Sequence, residues 1–436
     1  MELSAAASPV SSPGAPAGRL IKKVLRLLFV AAVAVALWSQ LAAAPSSLIL
    51  VGGCGALPPL PSSRWWWPFS SAPPRKETTT AARRPAAGGG GTKGPPAACV
   101  MFNFGDSNSD TGNLVAGAGF RLHGPVGSLF FGKPSGRFSD GRLYIDFICE
   151  RLGLDHLSPY LESSGVSFRH GANFAAAGAT AGESKSLFSL GTQVRQFRHL
   201  KARTADLLPL GLGSGITKEE FENAVYTFDI GQNDIQVALS NNLSYHRVLR
   251  DSIPAIITRI RNAVTMVHEA GGRKLVLYNT GPLGCLPSML ARRPSDSGGG
   301  RLDGAGCLAG HNRVARAFNA QLGRLCRDLR HRLAGATVVC VDMYAIKYGL
   351  VANHTAHGLR APLMACCGSG GPPYNYRPGA ACGSPKVAAC ADGDRRVSWD
   401  GLHYTEAANR IIADEVLSAE HSDPPLQLHT LCASPS

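Results

Sequence analysis

Polar loops in this 436-residue sequence hold side chains that together could carry out acyl transfer. Ser107 follows an apolar run from Val100 to Phe104-Gly105, which indicates a buried strand that ends in a tight loop. A serine in such a loop is a candidate nucleophile, although polar residues after a strand also occur as ordinary turn formers. The serine therefore needs a base, a group that orients the base, and oxyanion donors from elsewhere in the chain.

Asp400 and His403 supply the candidate base and its orienting group. An aspartate three residues before a histidine can accept the Nδ1 proton of the ring, fix its tautomer and leave Nε2 for Ser107. The competing interpretation is a turn before a helix, with His403 merely exposed. The Asp400–His403 pair therefore indicates a catalytic site only when it is considered together with the other loops.

Two further loops supply candidate oxyanion donors. Asn233 follows a predicted strand, and its side-chain amide can donate to the negative oxygen of a tetrahedral intermediate. The backbone N–H groups of Gly178 and Ser107 complete the predicted oxyanion hole, since glycine lets a substrate approach the main chain closely. Each loop taken singly is also compatible with a plain turn.

The elements that position these loops alternate between strands and helices from Cys99 onward. The predicted strands lie at 100–104, within 168–178, and at 224–230, 274–279 and 337–342. The predicted helices lie at 143–152, 248–270, 308–334 and 405–417. This alternation indicates a parallel sheet covered by helices on both faces, and such sheets bind ligands at the carboxyl ends of their strands.

The order and spacing of the motifs resemble the plant GDSL esterase/lipase family of the SGNH hydrolase superfamily, over about residues 99–418. The matching segments are Phe104 to Ser107 with Asp110 and Gly112-Asn113, Gly136 to Arg142, Asn173 to Ala175 with Gly178, Gly231 to Asp234, Gly281 to Cys285, and Trp399 to Ala407. One other serine-hydrolase motif is not met: Ser109 stands where the second glycine of a G-x-S-x-G elbow would be.

The resemblance implies a flavodoxin-like three-layer α/β/α sandwich with a parallel sheet, and a serine ester hydrolase that acts through an acyl-enzyme. Ser107 would be the nucleophile and His403 the general base, oriented by Asp400. Ser107, Gly178 and Asn233 would form the oxyanion hole. No metal or cofactor would be required.

The motifs leave the substrate open. Because some members of the family remove acetyl groups from cell-wall polysaccharides such as xylan, a carbohydrate O-acetyl esterase is the first expectation. A carboxylesterase or acyltransferase for lipids or small molecules is the alternative, and an inactive glycan-binding relative is the alternative of another class. Asn242 and Asn353 occupy N-glycosylation acceptor sequences, which agrees with a lumenal or extracellular setting.

The N-terminal part predicts entry into the secretory pathway. The expected organisation is a disordered basic cytosolic tail over 1–26, a signal anchor or signal peptide over 27–51, a Pro-, Gly- and Ser-rich stem over 52–98, the hydrolase domain over 99–420, and a C-terminal tail over 421–436. Pro45 follows the Ala42-Ala43-Ala44 sequence and disfavours cleavage there, so a type II Golgi membrane protein is favoured. Cleavage within 42–56 and secretion is the alternative.

The charge distribution and the cysteine content bear on nucleic-acid binding and on disulfide formation. Residues 1–98 carry ten Lys and Arg against two acidic residues, a net charge of +8 that leaves only +6 for the rest. No basic patch interleaved with aromatic residues occurs in the main body, which argues against nucleic-acid binding. Several of the 12 cysteines stand in loop-like sequence, which favours disulfides, whereas Cys149 on an apolar helix face is expected to be a buried free thiol. The oligomeric state is left open.

Overall fold

The computed structural model describes residues 99–182, 186–241, 243–293 and 300–432. The main strands are β1 (Met101–Gly105), β2 (Gly171–Asn173), β3 (Val225–Asp229), β4 (Lys274–Tyr278), β5 (Thr337–Val341), β6 (Cys367–Gly368), β7 (Ala388–Ala389) and β8 (Ser422–Asp423). The helices are α1 (Asn113–Ala118), α2 (Tyr144–Arg151), α3 (Leu190–Leu207), α4 (Lys218–Asn223), α5 (Gln232–Ser240), α6 (Tyr245–Arg247), α7 (Ile253–Glu269), α8 (Pro287–Leu290), α9 (Ala309–Arg332), α10 (Met343–Ala352), α11 (Glu406–Ser418) and α12 (Leu428–Cys432).

The central sheet has the strand order β2-β1-β3-β4-β5-β8. The first five strands are parallel, and β8 pairs antiparallel with β5 at the edge. The order 2-1-3-4-5 is that of flavodoxin-like sheets, in which the strand order reverses next to β1. The loops after β1 and β3 therefore flank the crevice where ligands bind in this architecture, and these are the loops of Ser107 and Asn233.

Two apolar layers cover the sheet because its side chains alternate between the faces. Phe102 and Tyr226 belong to one buried cluster, which packs against α3, α4, α7 and α9. Met101 and Val225, their chain neighbours, belong to the other, which packs against α2, α10, α11 and α12. The predicted three-layer α/β/α sandwich with its parallel sheet is confirmed.

Most predicted elements lie where the sequence pattern puts them. The helix predicted over 248–270 is divided, since a π-helical turn at Val248–Ser252 precedes α7. The two longest helices that the sequence pattern did not predict are α3, with 18 residues, and α10, with 10 residues. The chain beyond 420, which the sequence assigns to a tail, contributes β8 and α12 to the folded unit.

Ten cysteines of the described residues form five disulfides, and Cys149 is free and buried, as predicted. The pairs are Cys99–Cys432, Cys285–Cys307, Cys326–Cys340, Cys366–Cys390 and Cys367–Cys382. Disulfides form and persist in oxidising compartments. The protein is therefore one of the secretory pathway or the extracellular space.

The predicted tail, anchor and stem over 1–98 lie outside the described residues. Within the ranges that the structure does describe, no helix has both the length and the apolar character needed to span a bilayer.

Candidate active site

Ser107 lies in the loop that leaves the carboxyl end of β1, and 6 % of its surface is exposed. The strand end is fixed by Gln193 of α3, whose amide accepts from the Gly105 N–H at 2.9 Å and donates to the Gly105 carbonyl at 2.8 Å. Beside the serine, the Asp106 carboxylate accepts from the backbone and side-chain nitrogens of Asn108, both at 3.0 Å. These contacts hold the backbone on both sides of Ser107.

A network of buried amides joins the serine loop to three strands. Within β1, the Asn103 Nδ2 donates to Ser109 Oγ at 3.0 Å and to Asn173 Oδ1 of β2 at 2.9 Å. The Asn103 Oδ1 accepts from Thr227 Oγ1 of β3 at 2.7 Å. Asn173 returns a bond from its Nδ2 to the Ser109 carbonyl at 2.6 Å. Because all of these groups are buried and paired, they fix the loop in one arrangement.

Asp110 connects the serine loop to the loop that carries Gly178. Its Oδ1 accepts from the N–H groups of Gly112 and Asn113 at 2.7 and 2.6 Å, and its Oδ2 accepts from the Ala177 N–H at 2.7 Å. Gly178 has a φ of +76° and is exposed, and a Cβ built on it would meet no atom within 4 Å. The space beside Gly178 is thus open to a substrate.

Asn233 lies in the first turn of α5, directly after β3, and is half-buried. Its Nδ2 donates to the Ala179 carbonyl at 2.9 Å and lies 3.4 Å from Asp106 Oδ2. The amide is therefore held between the Gly178 loop and the Ser107 loop. A side-chain amide has two N–H bonds: Ala179 fixes one, and the other makes only the long 3.4 Å contact with Asp106, so it is the one available to a ligand.

Asp400 and His403 lie on one tight loop before α11. The Asp400 Oδ2 is 2.6 Å from the His403 Nδ1, and its Oδ1 accepts from the backbone N–H groups of Leu402 and His403, both at 2.9 Å. Gly401 makes the turn possible with a φ of +94°. The carboxylate thus binds the ring nitrogen and the backbone of the same residue, which fixes both the tautomer and the loop.

The pKa values of this pair shift in opposite directions. Burial alone lowers the pKa of His403, but the charge and hydrogen bond of Asp400 prevail and raise it above 6.5. Burial alone raises the pKa of Asp400, but the charge and hydrogen bond of His403 lower it below 3.8. Asp106 also contributes to the raised pKa of His403, so the histidine lies within electrostatic range of the residue next to Ser107.

The segment 136–142 supports the histidine loop from the side. The Ser139 hydroxyl donates to the Tyr404 carbonyl at 3.1 Å, and the Asp140 Oδ1 accepts from the Glu406 N–H at 2.7 Å. The Phe138 ring packs against the His403 ring, with 5.4 Å between their centroids. In the sequence this segment is only one of the motifs that match the family. Its contacts assign it the role of positioning the histidine loop.

A buried group of charges lies beneath the site. Lys347 of α10 is 1 % exposed, and its Nζ lies 4.9 Å from the centroid of the Tyr404 ring. The carboxylate of Asp229, at the end of β3, accepts from the Tyr144 hydroxyl at 2.9 Å. Burial and the neighbouring Asp229 raise the pKa of Asp106 to about 7, and the Lys347 charge opposes the shift. Burial lowers the pKa of Lys347 itself.

The structure brings the sequence-predicted residues to one edge of the sheet. Ser107 and Asn233 follow adjacent parallel strands, Gly178 follows the strand on the other side of β1, and the Asp400–His403 loop approaches with Asp106 inside its electrostatic range. Sequence reasoning did not find Gln193, Lys347 and Asp229. The signals that could have found them are a polar residue on an apolar helix face and a carboxylate at a strand end, both of which are ambiguous without the fold.

Two further questions from the sequence concern the N-glycosylation acceptors and metal ions. Asn353 is exposed at the end of α10, and Asn242 lies outside the described residues. Within the described ranges, no group of three or more His, Cys, Asp and Glu side chains is arranged to hold a metal ion.

A flavodoxin-like sheet with a serine, a paired histidine and aspartate, and an amide at its carboxyl edge defines the class of SGNH-type hydrolases. The family model described as GDSL-like Lipase/Acylhydrolase matches residues 101–416. The chain belongs to this family, and it is a hydrolase that acts on ester bonds.

Named plant proteins are similar to this chain over most of their length. GDSL esterase/lipase At1g09390 of Arabidopsis thaliana is 48% identical over 337 residues, which cover 76% of this chain and 90% of the relative. GDSL esterase/lipase LIP-4 of the same plant is 47% identical over 337 residues, covering 76% and 89%. A third Arabidopsis thaliana relative, named Alpha-L-fucosidase 3, is 40% identical over 340 residues, covering 73% and 89%.

Proposed function

We propose that this ester hydrolase is a carbohydrate O-acetyl esterase of the secretory pathway, and that Ser107, His403 and Asp400 carry the reaction. The observation behind the assignment of residues is the 2.6 Å contact between Asp400 Oδ2 and His403 Nδ1 on a loop that approaches the Ser107 loop. An orienting aspartate is what lets a neutral histidine serve as a base at Nε2.

In the proposed mechanism, the Ser107 Oγ attacks the ester carbonyl carbon and its proton passes to His403 Nε2. The negative oxygen of the tetrahedral intermediate accepts from Asn233 Nδ2 and from the backbone N–H groups of Gly178 and Ser107. Collapse breaks the bond to the alcohol oxygen, which takes the proton from His403 and leaves. Water, deprotonated by His403, then attacks the acyl-enzyme and releases the acid and the free serine.

Three observations support a carbohydrate ester as the substrate. The disulfides support a domain of the secretory pathway or the extracellular space, where it can meet polysaccharides. Gly178 is exposed and a Cβ built on it would meet no atom within 4 Å, so the ester carbonyl of a large substrate has room to approach this backbone. One relative bears the name of an enzyme that acts on a sugar.

For location, we propose a type II Golgi membrane protein, held by residues 27–51 with the folded domain in the lumen and carrying glycans at Asn242 and Asn353. The basic cluster before an uncharged apolar run supports this orientation. A folded domain that stays in the membrane pellet after a carbonate wash supports the anchor, whereas a soluble secreted product would reject it.

Acetate release from acetylated xylan by the purified full chain tests the substrate. We expect the wild-type protein to release acetate and the Ser107→Ala variant to release none. Release of only long-chain fatty acid from glycerides would replace the carbohydrate assignment with that of a lipid esterase. Absence of turnover of every ester, including 4-nitrophenyl acetate, would favour a glycan-binding role.

A further inference from the structure

The Asp400–His403 loop has a second neighbour, a disulfide-rich segment between α10 and α11. This segment contains the two-stranded sheet of β6 and β7, and two disulfides, Cys366–Cys390 and Cys367–Cys382, cross-link it. The N–H groups of Cys366 and Cys367 donate to the carbonyls of Ser398 and Trp399 at 2.9 and 2.6 Å. The segment is therefore fixed along the chain that leads directly into Asp400.

Tyr376 of this segment lies against Gly401, in the middle of the loop. A Cβ built on Gly401 would be 2.7 Å from the Tyr376 Cδ2, so only glycine permits the ring to approach the loop this closely. The Gly401 carbonyl accepts from the Ser288 N–H of α8 at 3.0 Å. Tyr376 and α8 thus both contact Gly401, which follows Asp400 in the loop.

Arg292, just after α8, forms a pair with Tyr376. Its Nη2 donates to the Tyr376 hydroxyl at 3.2 Å, and its guanidinium carbon lies 5.6 Å from the centroid of the ring. Arg292 is exposed and takes part in none of the ion pairs found among the described residues. Arg293 and Arg377 adjoin the pair in sequence and are also exposed. A tyrosine ring and positive charge that no carboxylate of the described residues pairs with therefore stand together beside the histidine loop.

The proposed mechanism determines which part of a substrate meets this pair. His403 returns its proton to the oxygen of the leaving alcohol, so the alcohol portion has to lie on the histidine side of the site. The oxyanion donors hold the carbonyl oxygen on the side of Asn233 and Gly178. Tyr376 and Arg292 consequently flank the alcohol portion rather than the acyl group.

We propose that Tyr376 and Arg292 form a subsite for the sugar ring on the alcohol side, and that Arg292 selects sugars that carry a carboxylate. The inference rests on the proposed carbohydrate esterase function and names its substrate class, an acetylated polysaccharide with uronic acid substituents. An aromatic ring offers an apolar face to the C–H groups of a pyranose, and a guanidinium matches a carboxylate with two parallel N–H bonds.

The test compares three substrates with the purified full chain. Acetylated xylo-oligosaccharides are separated by anion exchange into fractions with and without a uronic acid, and 4-nitrophenyl acetate serves as an ester without a sugar. We expect Tyr376→Ala to lower kcat/KM about tenfold on both oligosaccharide fractions, because one stacking contact is lost. The kcat/KM for 4-nitrophenyl acetate should stay within about twofold of the wild-type value. Arg292→Gln is expected to lower kcat/KM about tenfold on the fraction with a uronic acid and to leave kcat/KM on the neutral fraction unchanged.

Tyr376→Phe provides the matched control because it keeps the ring and removes only the hydroxyl that Arg292 contacts. We expect it to retain activity on the neutral fraction. Equal losses on all three substrates would mean that Tyr376 supports the histidine loop and forms no subsite, and unchanged activities would also overturn the proposal. A wild-type protein that hydrolyses 4-nitrophenyl acetate but neither oligosaccharide fraction would instead refute the carbohydrate function itself.

Discussion

The Asp400 Oδ2 lies 2.6 Å from the His403 Nδ1, and the other oxygen of the same carboxylate holds the His403 backbone N–H at 2.9 Å. One side chain therefore sets the position of the histidine and the proton on its ring. A hydrogen bond this short to an ionised partner belongs to the strong class. The consequences of this relationship can be measured.

Asp400→Asn should lower kcat by about 10⁴, because an amide at this position favours the wrong tautomer of His403 and gives no charge to the imidazolium. The measurement is kcat for 4-nitrophenyl acetate across the neutral pH range. Asp206→Asn is the matched control, since that aspartate is exposed on α3 and forms an ion pair with Arg203 of the same helix. Activity of Asp400→Asn within tenfold of the wild-type protein would remove Asp400 from the site.

The pH profile of kcat/KM should fall on the acid side with a midpoint above 6.5. The raised pKa of His403 means that the ring stays protonated, and unable to act as a base, up to a higher pH than a free histidine. In Asp400→Asn the acid limb of the residual activity should move to lower pH, because burial then lowers the pKa of His403 against only the smaller opposing effect of the Asp106 charge. If the acid limb does not move, it reports the titration of a group other than His403.

Asn233→Ala should lower kcat by about 10²–10³, the usual cost of one oxyanion donor, with a small change in KM. The amide is already positioned by the Ala179 carbonyl, so its contribution is made in the transition state. Asn241→Ala, just beyond the other end of α5, is the control for general effects on the helix. A variant that changes KM and leaves kcat intact would make Asn233 a substrate-binding residue instead.

Lys347→Met should destabilise the fold by about 3–5 kcal/mol at pH 7.5, because it leaves the buried carboxylates of Asp106 and Asp229 without a positive neighbour. Both carboxylates already have raised pKa values, about 7 for Asp106, and loss of the lysine raises them further. Asp106, with a pKa of about 7, is protonated in the folded state at pH 5, so the destabilisation should shrink as the pH falls from 7.5 to 5.

Urea unfolding of wild type and variant at the two pH values measures this difference. The double variant Lys347→Met with Asp229→Asn removes one of the two negative charges and should recover part of the stability at pH 7.5. A loss that is the same at both pH values would mean that Lys347 stabilises the protein through packing of its alkyl chain.

The sheet could be predicted from the sequence because its buried strands read as short apolar runs between loop signals. The helix α3 could not, because much of its length is polar and one residue on its buried face is Gln193. That glutamine bonds to the backbone of β1, so its burial is intelligible only once the strand is in place.

The sequence predicts the residues of the candidate site but not the residues that support them. Ser107, Asn233 and His403 stand in motifs with characteristic neighbours, so their loops could be identified singly and then combined. The parts that hold them, such as Ser139 on the Tyr404 carbonyl and Asp140 on the Glu406 N–H, join residues up to 266 positions apart. Contacts of this range depend on the fold, and no local pattern encodes them.

The most direct measurement identifies the serine that forms the covalent intermediate. The purified full chain is treated with a fluorophosphonate, which phosphonylates activated serines, and the labelled peptide is sequenced by mass spectrometry. We expect one added group per chain, located on Ser107, complete loss of esterase activity, and no labelling of the Ser107→Ala variant. A label on any other serine, or a Ser107→Ala variant that still hydrolyses 4-nitrophenyl acetate at the wild-type rate, would refute the proposed mechanism.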